Sequence, residues 1–170
     1  DLYLDNTLPH VDELIVIDGG STDGTIERIR ARQSEKVRLF VWPQAGAQFT
    51  QGWREPDRRN ACIALTGREW ILKKDADEFF READYAKIRA LIAAPRDALC
   101  CFPRINFWGD PEHVRLNTPD DSYWSPDPQG NLWRADLGLR WNDRVLHCQL
   151  EKDGAIYTRT EVCHEIPIYH

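Results

Sequence analysis

The sequence predicts an α/β domain, a mostly parallel sheet flanked by helices, with short antiparallel strands in its C-terminal part. Three observations predict it. Two short apolar runs, residues 14–17 and Trp70–Leu72, each end in a polar turn-forming segment, as strands buried in a parallel sheet do. Apolar residues at helical spacing fill the stretches between such runs. Beyond Leu132 the pattern changes to short strand-like pieces, with a hairpin signal at Asp153-Gly154.

The chain opens on what reads as the end of a helix, residues 1–8. Residues 14–17 form a buried strand stopped by Asp18-Gly19-Gly20. Thr22-Asp23-Gly24-Thr25 offers caps for a helix that carries Ile26 and Ile29. Arg28, Arg30 and Arg32 lie toward its C-terminal end, where cations suit the helix dipole. Val37–Val41 alternates as a second strand and ends near Pro43, completing a β-turn-α-β unit. Residues 44–56 read as a loop and 57–65 as a helix stopped by Gly67. The third strand, Trp70–Leu72, runs into Lys73-Lys74-Asp75-Ala76-Asp77. A helix over 85–94 is closed by Pro95, and a longer strand covers 98–107. Prolines 111, 119, 126 and 128 predict a long irregular loop over 110–130. Residues 139–141, 145–150 and 155–159 read as short strands.

A chain of 170 residues fits one domain. The net charge of −6 argues against a general nucleic-acid binder. Five Cys, odd in number and irregular in spacing, predict free thiols in a reducing compartment rather than a zinc site or disulfide framework. No apolar run approaches the roughly 20 residues that span a bilayer, and no signal peptide is visible. No GxGxxG follows a strand, which disfavours a dinucleotide oxidoreductase.

Two acidic motifs carry the chemistry. Asp18 ends a strand, where ligands of open α/β sheets sit, and Gly19 and Gly20 allow close backbone approach. The plain alternative is a turn, with Ser21 or Asp23 as a helix cap. Asp75 and Asp77, two residues apart after a strand, face one side if the backbone stays extended. Like charges that close call for a cation between them, and oxygen donors select a hard ion, Mg²⁺ or Mn²⁺. The plain alternative here is a solvated acidic turn capping the next helix through Asp77 or Glu78. In one parallel sheet both strand ends would open on the same edge, bringing residues 18, 75 and 77 to a shared rim.

The residues Val11 to Thr25, then Arg59-Asn60-Ala61, then Glu69 to Leu72 through Asp75-Ala76-Asp77-Glu78-Phe79, resemble the family 2 glycosyltransferases of the GT-A, Rossmann-like fold. The likeness covers about residues 8–95. Beyond Phe107, Leu132-Trp133-Arg134, Arg140-Trp141, Val145-Leu146-His147 and Pro167-Ile168-Tyr169-His170 look like bacterial members that build lipopolysaccharide cores or related surface glycans.

The resemblance implies a single domain, 1–107 for the nucleotide-sugar and 108–170 for the acceptor. It implies an inverting, metal-dependent transfer from a UDP-type donor to a glycan or lipid-linked acceptor. Asp18, Gly20, Arg59 and Asp75 would bind the nucleotide-sugar. Asp75, Asp77 and His147 would hold Mg²⁺ or Mn²⁺, with Asp77 the closer ligand, and His164 and His170 carry less weight. Asp143 is the preferred base among Asp110, Asp120, Asp121, Asp136 and Asp143. Trp108, Trp124, Trp133 and Trp141 are offered either to acceptor sugar or to the core.

The implied location is cytoplasmic, with peripheral association at the inner face of the membrane. The family's first strand and its base contacts are absent from this sequence. That would leave a neighbouring strand exposed, so a longer native polypeptide is expected. Rival readings are a nucleotidyltransferase and a nucleotide-sugar-binding module without turnover.

Overall fold

A computed structural model describes residues 2–43, 55–94, 97–115, 127–142 and 149–170. Its elements begin with α1 (Leu2–Thr7), β1 (Leu14–Asp18), α2 (Thr25–Ala31), β2 (Val37–Val41), α3 (Glu55–Leu65), β3 (Trp70–Leu72) and α4 (Glu82–Ala93). There follow β4 (Leu99–Ile105), β5 (Phe107–Trp108), β6 (Asp110–Val114) and β7 (Asp127–Arg134). After a 3₁₀ turn, Ala135–Leu137, come β8 (Arg140–Trp141), β9 (Leu150–Lys152), β10 (Ala155–Ile156), β11 (Thr160–Val162) and β12 (Ile168–Tyr169). Two compact units interleave along the chain, residues 1–68 with 138–157 and residues 69–137 with 158–170.

In the first unit β1 and β2 pair in parallel, Leu14 opposite Val37 and Asp18 opposite Val41. Parallel neighbours need a crossover, and α2 supplies it. Leu14 and Asp18 are buried, whereas Ile15, Val16 and Ile17 are half-buried. The fully buried strand expected here is thus only half covered, since β2 is its one hydrogen-bonded neighbour among the described residues.

The helix α3 has no fully buried residue. Asn60 fastens it to β8: its Nδ2 donates to Trp141 O at 2.9 Å and its Oδ1 accepts from Trp141 N at 2.8 Å. The predicted hairpin joins β9 to β10, Lys152 opposite Ala155. Asp153 (φ 51°) and Gly154 (φ 80°) are both left-handed, as a two-residue type I′ turn requires.

The second unit holds a sheet in the order β11-β4-β7-β3, with β12 also on β4. Both β11 and β12 run parallel to β4, whereas β7 is antiparallel to β3 and β4. The mixed α/β class is therefore present, but β3 is not a parallel strand: Trp70 pairs with Arg134 and Leu72 with Leu132. Among the described residues β1 and β3 also belong to separate hydrogen-bonded sheets. Gly130 lets β7 approach β4 closely, because a Cβ there would lie 2.8 Å from Leu99 Cδ2.

The expected irregular loop 110–130 is structured at both ends. β6 folds back on β5, and β7 starts at Asp127. Proline is tolerated because Pro111 lies in a two-stranded ribbon, where one edge needs no donor, and Pro128 stands opposite Pro103. Helix α4 begins three residues before the expected Tyr85. Asp84 in its first turn is buried and accepts from Arg81 Nε and Lys87 Nζ, each at 2.9 Å. Burial pushes that carboxyl up, but Arg81 and Lys87 outweigh it and hold the group below its ordinary range.

Phe80, Tyr85, Ile88, Leu91, Phe102 and Leu132 lead the core of this unit. The Phe80 and Phe102 rings meet edge to face at 5.4 Å. Cys100, Cys101 and Cys163 are buried free thiols, and Cys62 is a partly buried one. Phe102 is fully buried, so Phe102→Ala is expected to lower unfolding free energy by about 3–5 kcal/mol, read from the urea midpoint.

Candidate functional site

The Asp18 carboxylate is folded into its own turn. Oδ1 accepts from Gly20 N at 2.8 Å and Ser21 N at 2.6 Å, and Oδ2 accepts from the Ser21 hydroxyl at 2.8 Å. Burial pushes its carboxyl up, but these donors more than offset that and hold it below the ordinary carboxylate range. Gly20 has φ +94°, and a Cβ there would lie 3.5 Å from Pro43 Cα. The turn after β1 is thus a preset backbone cradle. With about four acceptor positions on a carboxylate, three are used within the turn. Helix α2 starts from Gly24 at φ 87°, without a side-chain cap on that residue. Asp23 Oδ1 accepts from Thr25 N at 3.1 Å, so the expected acidic side chain meets the first helical N–H from one residue before the N-cap, which is Gly24.

Arg59, on α3, pairs with Glu55 one turn earlier. Its guanidinium lies 4.5 Å from the centroid of the Trp141 ring. Trp141 and Trp133 are buried and serve the core, while Trp108 is 67% exposed. Trp124 lies outside the described residues, as do Asp120, Asp121, Asp143 and His147.

The second acidic motif is a turn tied from below. At the end of β3, Lys73 N donates to Asn131 O at 2.7 Å and Asn131 Nδ2 returns a bond to Lys73 O at 3.0 Å. Glu78 is fully buried. Its Oε2 accepts from Asp75 N at 2.8 Å, and Glu78 N donates to Asp75 O at 3.1 Å. Lys73 Nζ lies 3.8 Å from Glu78 and donates to Asp75 Oδ2 at 2.7 Å, and Arg104 lies 4.0 Å from Glu78. Burial pulls the Lys74 ammonium down to about 8, against the opposing pull of Glu78.

Phe79 and Tyr169 exchange two backbone bonds of 2.8 Å, which lays β12 beside the turn. His170 Nε2 thereby comes within 3.3 Å of Asp77 Oδ2, and His170 Nδ1 meets Asn106 Oδ1 at 2.9 Å. Both partners are open to solvent, with the Asp77 side chain 71% and the His170 side chain 38% exposed. The sequence ranks His170 below His147 and does not single out Asn106. Nothing local links either to Asp77; the pairing of β12 with β4 and with Phe79 does. Among the described residues, no group of three or more His, Cys, Asp or Glu side chains is placed to hold a metal ion. Asp18 and Arg59 belong to the first unit, and Asp75 and Asp77 to the second.

The profile described as glycosyl transferase family 2 matches residues 4–150. The chain belongs to glycosyl transferase family 2. Both acidic motifs, Arg59 and Asp143 fall inside the matched family segment, and His170 falls beyond it. The sequence matches no curated protein. A crystal structure of S. aureus TarS, residues 1–349, is similar in fold, with a TM-score of 0.50 and 15% identity. The likeness covers 98% of this chain and 56% of that one, so the chain spans about half the length of that solved structure. At this identity the likeness is one of fold. Among the described residues no helix is long and apolar enough to cross a membrane.

Two expectations follow from the buried acids. Asp18 has a depressed folded-state pKa, so its contribution is present above the unfolded value of about 4 and is lost as pH falls through the folded value. The stability gap between wild type and Asp18→Asn, from urea midpoints, is therefore expected to shrink as pH drops below about 4. A gap constant down to that range would contradict this account. Glu78→Ala leaves Lys73 and Arg104 without their shared anion, and is expected to cost about 3 kcal/mol in the same assay.

Proposed function

We propose that this chain carries the donor-binding part of an inverting glycosyltransferase. It moves a sugar from a UDP-type nucleotide-diphosphate sugar to a hydroxyl on a glycan or lipid-linked acceptor. The observation that carries the reading is the Asp77–His170 pair, 3.3 Å apart and open to solvent. Two donors bound side by side to an ion at about 2.1 Å stand about 3 Å apart, so the pair fits a divalent cation. A nucleotide-bound ion takes one or two protein donors and fills its other positions with phosphate oxygens and water. Two protein donors therefore meet the need of such a site. The Asn106 contact to Nδ1 is the kind that orients a metal-binding imidazole with Nε2 outward. An imidazole nitrogen is a poor ligand for Mg²⁺, which favours Mn²⁺ of the two ions.

When bound, the ion would neutralise charge on the departing diphosphate. Asp77 and His170 would hold it, and Asp75 would position the donor while paired with Lys73. Asp18 and Gly20 shape the turn that receives the nucleobase or ribose, and Arg59 reaches toward uracil or diphosphate. Asp143 takes the proton from the acceptor hydroxyl, whose oxygen attacks the anomeric carbon from the face opposite the leaving diphosphate. The likeness of the C-terminal stretches to lipopolysaccharide-building members supports an acceptor among bacterial surface glycans. The free thiols at four described positions support a reducing, cytoplasmic location, at the inner face of the membrane where a lipid-linked acceptor would be met.

Titration of the chain with UDP-sugar and Mn²⁺ by calorimetry tests the reading. Binding is expected to require the metal, to vanish in Asp77→Ala, and to weaken about 10–100-fold in Asn106→Ala, where the imidazole loses its orienting contact. Equal binding by wild type and Asp77→Ala would sink the metal assignment. Metal-dependent binding without release of UDP would identify a binding module instead.

A further inference from the structure

We propose that the β5–β6 hairpin is a carbohydrate platform, with a pyranose ring of the acceptor stacking on Trp108. The naming of that sugar as an acceptor rests on the glycosyl-transfer reading; the stacking itself does not. Of the Trp residues offered to sugar from the sequence, Trp133 and Trp141 are buried, and Trp108 alone among those described presents its ring, at 67% exposure. An indole combines an apolar face for sugar C–H groups with an amphipathic edge.

The platform is anchored beside the proposed metal pair. Phe107 N donates to His170 O at 2.7 Å, and the Phe107 and Tyr169 rings stack at 6.0 Å with 18° between planes. Arg115 N donates to Asn106 O at 2.8 Å, closing the base of the ribbon on the residue that also meets His170. Trp108 therefore projects from the strand pair whose root touches His170, and His170 touches Asp77. It also stands at the first position of the part assigned to the acceptor.

The rim favours a sugar over a membrane or a protein. The Arg115 guanidinium lies 5.5 Å from the Trp108 ring centroid. Every residue of β6 is exposed, Asp110, Glu112 and His113 included. Asp110 Oδ1 accepts from Glu112 N and His113 N at 2.9 and 3.0 Å, which rigidifies the tip. Carboxylates and a guanidinium are hydrogen-bonding partners for hydroxyls, whereas acidic groups at the tip are repelled by an anionic leaflet. A protein partner would need about 800 Å² of surface on each side; here the exposed large apolar side chains of the ribbon are Trp108, Phe107 and Val114, three side chains in all, and Phe107 is already stacked on Tyr169.

The test uses the ¹⁵N-labelled chain, with the Trp108 indole N–H resonance assigned by its loss in Trp108→Phe. Methyl β-D-glucopyranoside, methyl β-D-galactopyranoside, and vesicles of phosphatidylglycerol with phosphatidylethanolamine are titrated separately. A sugar is expected to shift the Trp108 signal. Its affinity, followed at Arg115, should fall roughly tenfold in Trp108→Ala and much less in Trp108→Phe, the scale of one lost aromatic contact. A shift with vesicles and not with sugars, or with neither, overturns the platform. UDP and Mn²⁺ binding by the same samples reads the donor site separately. Sugar binding without donor binding keeps the platform and sinks the glycosyl-transfer reading, and the converse sinks the platform alone.

Discussion

A buried carboxylate organises the second unit. Glu78 has no exposed surface, and its charge stands among Lys73, Arg104 and the backbone N–H of Asp75. A buried carboxylate without partners is costly; here Oε2 takes the Asp75 N–H with Lys73 nearby, while Oε1 has no hydrogen bond among the described residues and faces Arg104 of β4 at 4.0 Å. The acidic turn therefore has one shape compatible with keeping Glu78 inside. That shape leaves Asp77 open to solvent and brings Phe79 into register with Tyr169. The consequence is a stiff base under exposed acids, the arrangement a binding site needs if its donors are to be preorganised.

Local features of the fold were legible. The strands at Leu14–Asp18 and Val37–Val41, the helix between them, and the Asp153-Gly154 hairpin all follow from patterns a few residues long. The direction of β3 was not legible. A three-residue run, Trp70–Leu72, has the same composition whether its neighbour runs parallel or antiparallel, and that neighbour, β7, comes from beyond residue 126. Prolines mislead over 110–130 when counted only as breakers. In a two-stranded ribbon, or opposite another proline, they break little.

The site was legible to the extent that its donors are close in sequence. The Asp18 turn and the acidic turn stand out as motifs, yet the roles of their side chains depend on surroundings. Asp18 spends most of its capacity on Gly20 and Ser21, a reading its Asp-Gly context already contained. His170 was legible only as a lesser candidate, because its place beside Asp77 depends on the register of β12 against β4 and Phe79.

The attachment of α3 to β8 is unusually selective for one side-chain type. The helix has no fully buried residue to anchor it, and Asn60 both gives to Trp141 O and receives from Trp141 N. Aspartate at 60 would keep the shape and lose the gift; leucine would lose both halves. Glutamine has the right chemistry on a stem one carbon too long. Divergent copies of this chain should therefore hold an asparagine at this place for a mechanical reason that requires no ligand.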